Sequence, residues 1–117
     1  MVDSLDGGPV LGVRRWSIEL DEPDGDAVVL RVAGAVTYSK MTPLSSGFTR
    51  LLAVGANTVV VDLTRAYPLC SEAALALVLL ASRCDGQGRG LRVVPSSVVR
   101  RKLAVLGLLD AIPLTAV

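Results

Sequence analysis

Residues 58–63 (TVVVDL) constrain the fold more than any other segment of the chain. Apolar side chains fall on both faces of this short run, which is typical of a strand in the centre of a parallel sheet. A helical pattern precedes it, with Leu44, Phe48 and Leu51 on one face, and a second apolar helix is predicted over residues 71–83. This alternation of helix and strand predicts parallel strands joined by right-handed crossovers.

The remaining segments predict an initial hairpin and a final pair of strand and helix. Residues 16–20 alternate apolar and polar side chains, and residues 27–32 form a second strand after an acidic turn. Residues 91–94 are a short strand, and Ser96 or Ser97 caps the helix that follows.

Two further helix ends are predicted from single residues. Thr42 is the expected N-cap of the first helix, and Gly107 is expected to end the third. Leu106 is expected on the buried face of that third helix, together with Val99 and Leu103.

The resulting order, β-β-α-β-α-β-α, predicts an α/β fold in one domain. We expect a mixed sheet of four to five strands with an initial hairpin, packed by about three to four helices. Residues 1–13 are rich in Gly, Pro and Asp and are expected to form a flexible arm, with the domain over residues 14–117.

Composition excludes several classes of function. The chain has 117 residues and no histidine, so Ser-His-Asp and Cys-His catalysis are excluded, and two cysteines cannot complete a structural zinc site. We expect no enzyme activity, no metal and no cofactor. A net charge of +1 argues against nucleic acid as the main partner. The longest apolar run, residues 73–81, is too short to span a membrane, and no secretory signal is recognised, so we expect a cytoplasmic protein without membrane insertion.

The predicted start of the second helix is the best candidate for a site. In open parallel sheets, ligands bind beyond the carboxyl ends of the strands, which here carry residues 33–40 and 64–71. Ser71 is expected to cap the helix, and Glu72 suits the positive end of its dipole. Residues 73–81 are apolar on all faces, which predicts either burial on most sides or a partner-binding face.

Four segments stand in an order and spacing that together carry a family signal: residues 30–36 (LRVAGAV), 59–64 (VVVDLT), 68–75 (PLCSEAAL) and 106–110 (LGLLD). They resemble the STAS domains that act as anti-sigma factor antagonists in bacteria. The resemblance covers about residues 14–114 and implies a single STAS-like domain.

In that family, a serine kinase that is also the anti-sigma factor phosphorylates a Ser or Thr in a pattern close to Asp-Ser-Ser-Gly. The resemblance implies that Ser71 is the phosphoacceptor. Cys70, Glu72 and Ala73 replace the other residues of the pattern, and Thr37 stands where an acidic residue is often found.

The resemblance implies a non-enzymatic regulator of transcription that binds an anti-sigma factor with serine kinase activity. It also implies that phosphorylation of Ser71 prevents this binding. The expected partner-binding residues are Thr37, Lys40, Cys70, Glu72 and Leu75. The alternative is an unphosphorylated STAS accessory or scaffold subunit, for example of a lipid-transport ATPase complex. A homodimer stays open, as does an acidic partner for the basic cluster Arg100, Arg101 and Lys102.

The two cysteines are not expected to form a disulfide. Cys70 and Cys84 are separated by one predicted helix, which places them roughly 21 Å apart at about 1.5 Å per residue. A disulfide requires Cα atoms within about 7 Å. We therefore interpret both as small apolar residues, with Cys70 as the better candidate for a reactive thiol because it precedes a helix N-terminus.

Overall fold

A computed structural model of the protein describes residues 15–24 and 26–115, without the side chains of Pro23 and Asp24. Strands and helices follow one another as β1 (Ser17–Asp24), β2 (Ala27–Val36), α1 (Met41–Ala53), β3 (Thr58–Leu69), α2 (Ser71–Gly86), β4 (Gly90–Pro95) and α3 (Ser97–Val105). The predicted α/β order is confirmed. The flexible arm predicted over residues 1–13 lies outside the described residues, as do residues 14, 25, 116 and 117 of the predicted domain.

The four strands form one mixed sheet in the order β1-β2-β3-β4. The β1–β2 pair is the predicted antiparallel hairpin, and β2, β3 and β4 are parallel. The fifth strand allowed by the predicted range of four to five is reduced to one parallel bridge between Val93 and Leu114. In the part of the chain that the structure describes, the sheet thus has four strands and one isolated bridge beside β4.

Strands β2 and β3 run past their predicted ends, to Val36 and Leu69. Their pairing continues through two register shifts, one between Arg31 and Ala33 and one between Gly34 and Val36. The predictions ended at residues 32 and 63 because the apolar pattern weakens there. Pairing with a neighbouring strand extends both segments, and such pairing is not a local property of the sequence.

Alternate residues of the strands form the core with one face of α1 and of α2. Val28, Leu30, Val59 and Val61 are at most 1% exposed. Helices α1 and α2 contact each other and the sheet, whereas α3 packs against β3 and β4. Helix α1 approaches β1 closely at Gly47, where a Cβ atom would lie only 2.7 Å from the Ile18 Cδ1 atom.

Helix α1 begins at Met41, not after a Thr42 cap, so that prediction is wrong. A 3-10 turn (Tyr38–Lys40) leads directly into the helix, and Lys40 occupies the N-cap position without a side-chain hydrogen bond. Pro43 is tolerated because the first N–H groups of a helix have no partner inside the helix.

The third helix follows its predicted ends but not its whole predicted face. The Ser96 hydroxyl accepts a hydrogen bond of 3.1 Å from the Val99 N–H, and Gly107 takes a φ of 74° just past the helix. Leu106 was expected on the buried face together with Val99 and Leu103, yet it is 37% exposed. It is the C-cap residue, so its side chain lies beyond the part of α3 that packs on the sheet.

Candidate partner-binding surface at the carboxyl end of the sheet

The ends of β2 and β3 bring two loops together. Val36 is the register partner of Leu69, and the N–H of Cys70 donates a 2.9 Å hydrogen bond to the carbonyl oxygen of Val36. Thr37 and Ser71 therefore emerge from neighbouring strand ends. The structure places residues 37–40 beside the start of α2, as expected for the carboxyl edge of a parallel sheet.

Ser71 is the first residue of α2, and the predicted Ser71 cap is wrong. The N-cap is Cys70, which has extended backbone angles (φ −70°, ψ 158°) and makes no side-chain capping bond. Ser71 is half-buried. The Ala74 N–H bonds to the Cys70 carbonyl, so the N–H groups of Ser71, Glu72 and Ala73 are the ones without a partner inside the helix.

The loop beside Ser71 is ordered by its own contacts. The Thr37 and Ser39 hydroxyl oxygens lie 2.9 Å apart in a hydrogen bond, and the Lys40 N–H donates to the Thr37 carbonyl at 2.9 Å. The Lys40 ammonium lies 5.6 Å from the ring centroid of Trp16. Thr37 is exposed, whereas Lys40 is half-buried and makes a cation–π contact. Of these two predicted partner-binding residues, Thr37 is therefore the more accessible to a partner.

Cys70 connects this surface to α1. Its thiol is half-buried and donates a weak hydrogen bond to the Met41 sulfur at 4.0 Å. Both cysteines are free thiols, as predicted. The second helix runs to Gly86, past its predicted end at residue 83, so Cys84 belongs to its last turn. Burial raises the pKa of the Cys84 thiol, and the nearby charge of Arg89 opposes that rise.

Helix α2 has both a buried face and an exposed apolar stripe. Ala73, Ala74 and Leu77 are at most 1% exposed, whereas Leu75 and Leu79 are 56% and 63% exposed. One side of the helix is thus buried, and the exposed stripe stays a predicted partner-binding face. Glu72 is exposed one residue after Ser71, and Leu75 lies one turn further along α2.

Two features of this surface were not predicted from the sequence. Tyr38 is 71% exposed in the turn that follows Thr37. A shallow groove of about 200 Å³ lies between α1 and α2, lined by residues including Phe48, Leu52 and Leu79. An aromatic residue in a loop at the carboxyl edge of the sheet was a usable signal, but the groove exists only because two distant segments pack together.

The described residues meet the requirements of neither a metal-binding cluster nor a membrane-spanning helix. Within residues 15–24 and 26–115, no three His, Cys, Asp or Glu side chains come together to hold a metal ion. No helix in that part of the chain is long and apolar enough to span a membrane. What the surface offers is a hydroxyl, unpaired helix N–H groups and exposed apolar side chains.

Comparison with known proteins finds solved structures of anti-sigma factor antagonists. The antagonist from Mycobacterium paratuberculosis has a TM-score of 0.77 at 23% identity, over 86% of this chain and 85% of that one. SpoIIAA in its unphosphorylated form has a TM-score of 0.70 at 14% identity, over 86% and 88%. The antisigma-factor antagonist STAS domain from Rhodobacter sphaeroides has a TM-score of 0.54 at 21% identity, over 78% and 91%. No family model matches the sequence, and no curated protein does. The chain thus has the STAS fold.

Proposed function

We propose that this STAS-fold protein is a bacterial regulator that binds an anti-sigma factor with serine kinase activity, and that phosphorylation of Ser71 releases it. The observation that carries the proposal is the position of Ser71, at the first turn of α2 beside the Thr37 loop. Three of the similar structures are of anti-sigma factor antagonists. The role requires binding in the cytoplasm and no catalysis by this chain.

The unmodified surface suits a protein partner. Exposed Leu75 and Leu79 provide apolar area on α2, and Tyr38 provides an exposed aromatic ring on the adjoining side. Aromatic and aliphatic groups of this kind anchor protein interfaces when a partner excludes water from them. Thr37 and Glu72 contribute polar contacts at the margin of the same surface.

A phosphate on Ser71 would change the charge of that surface. The unpaired N–H groups of the first turn and the positive end of the helix dipole tolerate an anion there. The modification adds about −1.5 to −2 charges next to exposed Glu72, whose carboxylate is already negative. A partner that fits the neutral surface would therefore meet repulsion and an additional desolvation cost.

The replacements around Ser71 are compatible with the fold. Ala73, at the position of the family's glycine, is fully buried with 0% exposure, and its backbone is helical. A glycine is not required there because no left-handed conformation is needed. Cys70 takes the N-cap position that the family's aspartate would occupy, without a capping bond from its side chain.

A second function is favoured by the apolar stripe of α2. Leu75 and Leu79 can dock to a partner whether or not Ser71 is modified, and Ser71 is half-buried. An unphosphorylated accessory or scaffold subunit, such as one in a lipid-transport ATPase complex, would use the same helix as a permanent contact. The two functions differ in whether a kinase transfers phosphate to Ser71.

Incubation with ATP and each ATP-binding anti-sigma factor encoded in the same genome tests the proposal. We expect a mass increase of one phosphate, mapped to Ser71 by peptide sequencing and absent in Ser71→Ala. Complex formation with a kinase and no added phosphate would favour the accessory function. A phosphate on another residue would overturn the switch.

Binding to the same partner provides the matched control. Ser71→Asp is expected to weaken the complex at least about tenfold, a loss of roughly 1.4 kcal/mol. Ser97→Asp places the same charge at the first residue of α3 and is expected to leave binding unchanged. Equal affinity of wild type and Ser71→Asp would contradict the proposal, and Leu75→Glu is expected to weaken binding under either function.

A further inference from the structure

Opposite charges are concentrated in two separate parts of the chain. Residues 19–26 contain five of the eleven acidic residues and no Lys or Arg: Glu19, Asp21, Glu22, Asp24 and Asp26. Residues 86–109 contain five of the twelve basic residues and no Asp or Glu: Arg89, Arg92, Arg100, Arg101 and Lys102. The net charge of +1 therefore conceals a strongly polarised distribution.

The fold holds these two groups apart. The acidic residues belong to β1 and its hairpin turn, at one edge of the sheet, whereas the basic residues lie just before β4, on β4 and on α3, near the other edge. With strands about 4.8 Å apart, β1 lies roughly 10 to 14 Å from the strands that α3 contacts. The two groups cannot neutralise each other directly within one molecule.

We define the basic surface as Val98, Arg100, Arg101, Lys102 and Val105 of α3. Arg101 and Lys102 border Val98 and Val105 at helical spacing, and the two valines are 45% and 78% exposed. Among the described residues, none of the three cations forms an ion pair or a side-chain hydrogen bond. The exposed side of α3 is therefore apolar and cationic, and its three cations have no described ion pair.

We define the acidic edge as Glu19, Asp21 and Glu22 of β1, all of which are exposed. Only Asp21 has a described ion pair among the three, with Arg31 at 3.0 Å. Strand β1 is the last strand of the sheet within the described residues, so its outer side has no neighbouring strand there. Within the described residues, the edge thus presents carboxylates beside backbone groups that pair with no neighbouring strand.

We propose that the basic surface of one molecule binds the acidic edge of a second copy of this chain. A second copy is favoured over a lipid surface because three cations on a nine-residue helix fall short of the four to eight that mark anionic membrane binding. The bound pair still offers one free acidic edge on one molecule and one free basic surface on the other, so the contact is heterologous and adds further molecules head-to-tail.

The contact is weak and depends on salt. Its area is limited to one short helix face and one strand edge, below the size of stable interfaces. The attraction between the exposed charges falls as salt shortens the screening length from about 30 Å at 0.01 M to about 8 Å at 0.15 M. Neither surface includes Ser71, so the inference stands apart from the proposed function.

Sedimentation velocity of the full chain tests self-association directly. We expect the average sedimentation coefficient to rise with protein concentration between about 10 μM and 1 mM at 0.01 M salt, and to rise far less at 0.15 M. A monomer at every concentration in low salt would overturn the proposal. The same holds if that monomer pelleted with vesicles of phosphatidylcholine and phosphatidylglycerol, which would indicate a lipid surface as the partner. Arg50→Glu with Arg83→Glu is the matched control, which changes exposed charges on α1 and α2 only.

A charge-swap experiment tests the proposed pairing of the two surfaces most directly. Variant one carries Arg100→Glu, Arg101→Glu and Lys102→Glu, and variant two carries Glu19→Lys, Asp21→Lys and Glu22→Lys. Each variant is expected to be monomeric alone, and their equimolar mixture is expected to form mixed oligomers in low salt, because only then do opposite charges meet. Association of either variant alone, or a mixture that stays monomeric while both variants give the circular dichroism of the wild type, would refute the pairing.

Discussion

The carboxyl terminus of α1 and the amino terminus of α2 differ in whether side chains bind their terminal backbone groups. At the first, the Arg89 guanidinium donates hydrogen bonds to the carbonyl oxygens of Leu52 (3.0 Å), Ala56 (2.8 Å) and Val54. At the second, Cys70 provides no side-chain cap, and the first N–H groups have no partner inside the helix. Helix termini that are closed by side chains contribute stability, whereas open termini stay available to an incoming anion or partner.

The Arg89→Met variant is expected to have the largest effect on stability. It removes the three hydrogen bonds that a charged donor makes to backbone carbonyl oxygens and leaves those partly buried oxygens unpaired, which should lower the free energy of unfolding by about 3 kcal/mol. Urea denaturation followed by circular dichroism measures the change. Arg83→Met, at an exposed position in the last part of α2, is the control and should change stability little. Equal stability of Arg89→Met and wild type would remove the basis for calling the end of α1 a closed terminus.

The Ser96→Ala variant tests a second closed terminus. The Ser96 hydroxyl accepts from the Val99 N–H at 3.1 Å and donates to the Ala66 carbonyl at 2.7 Å, so it caps α3 and ties it to β3. We expect a loss of about 1 to 2 kcal/mol in the free energy of unfolding. Ser97→Ala, one residue later and exposed, should lose much less; equal losses would show that the cap is not the source of the effect.

The Ser71→Ala variant sharpens the contrast at the open terminus. Ser71 makes no hydrogen bond with its side chain among the described residues, so its removal should change the free energy of unfolding by less than about 0.5 kcal/mol. The same urea titration measures it beside Ser96→Ala. A destabilisation as large as that of Ser96→Ala would place Ser71 among the structural caps.

The smallest expected effect is a pH dependence of stability that arises from Cys84, in the last turn of α2. Burial raises the pKa of this thiol in the folded state, so the unfolded chain ionises first. The contribution to stability is complete below about pH 8.5, the usual thiol pKa, and is lost as the pH rises towards the folded pKa. We expect the free energy of unfolding to fall between neutral and alkaline pH in wild type and in Cys70→Ala. A decline just as steep in Cys84→Ala would assign it to another group.

Much of this fold was predictable because its signals are local. The hairpin, the buried strand around residues 58–63, the Ser96 cap and the Gly107 end were each encoded within a few neighbouring residues. The predicted ends of β2 and β3, and the predicted Thr42 and Ser71 caps, were wrong. Strand ends depend on pairing with a neighbour, and the helix starts depend on how the preceding loops leave the sheet.

The candidate site was predictable in position but not in detail. The carboxyl edge of a parallel sheet follows from the order of the elements, so Thr37 and Ser71 could be assigned to one surface. The exposure of Leu75 and Leu79 could not, because α2 is apolar on every side and its sequence does not say which side meets the sheet.

The sequence by itself determined the order and type of the elements, because apolar periodicity and local hydrogen bonds act over a few residues. Only the tertiary structure decided that Arg89 closes the end of α1, a segment 33 to 37 residues earlier in the chain. It also decided which leucines of α2 stay exposed and that the acidic and basic segments lie at different edges of the sheet. These properties depend on which distant segments pack together, and packing couples residues that no local pattern connects.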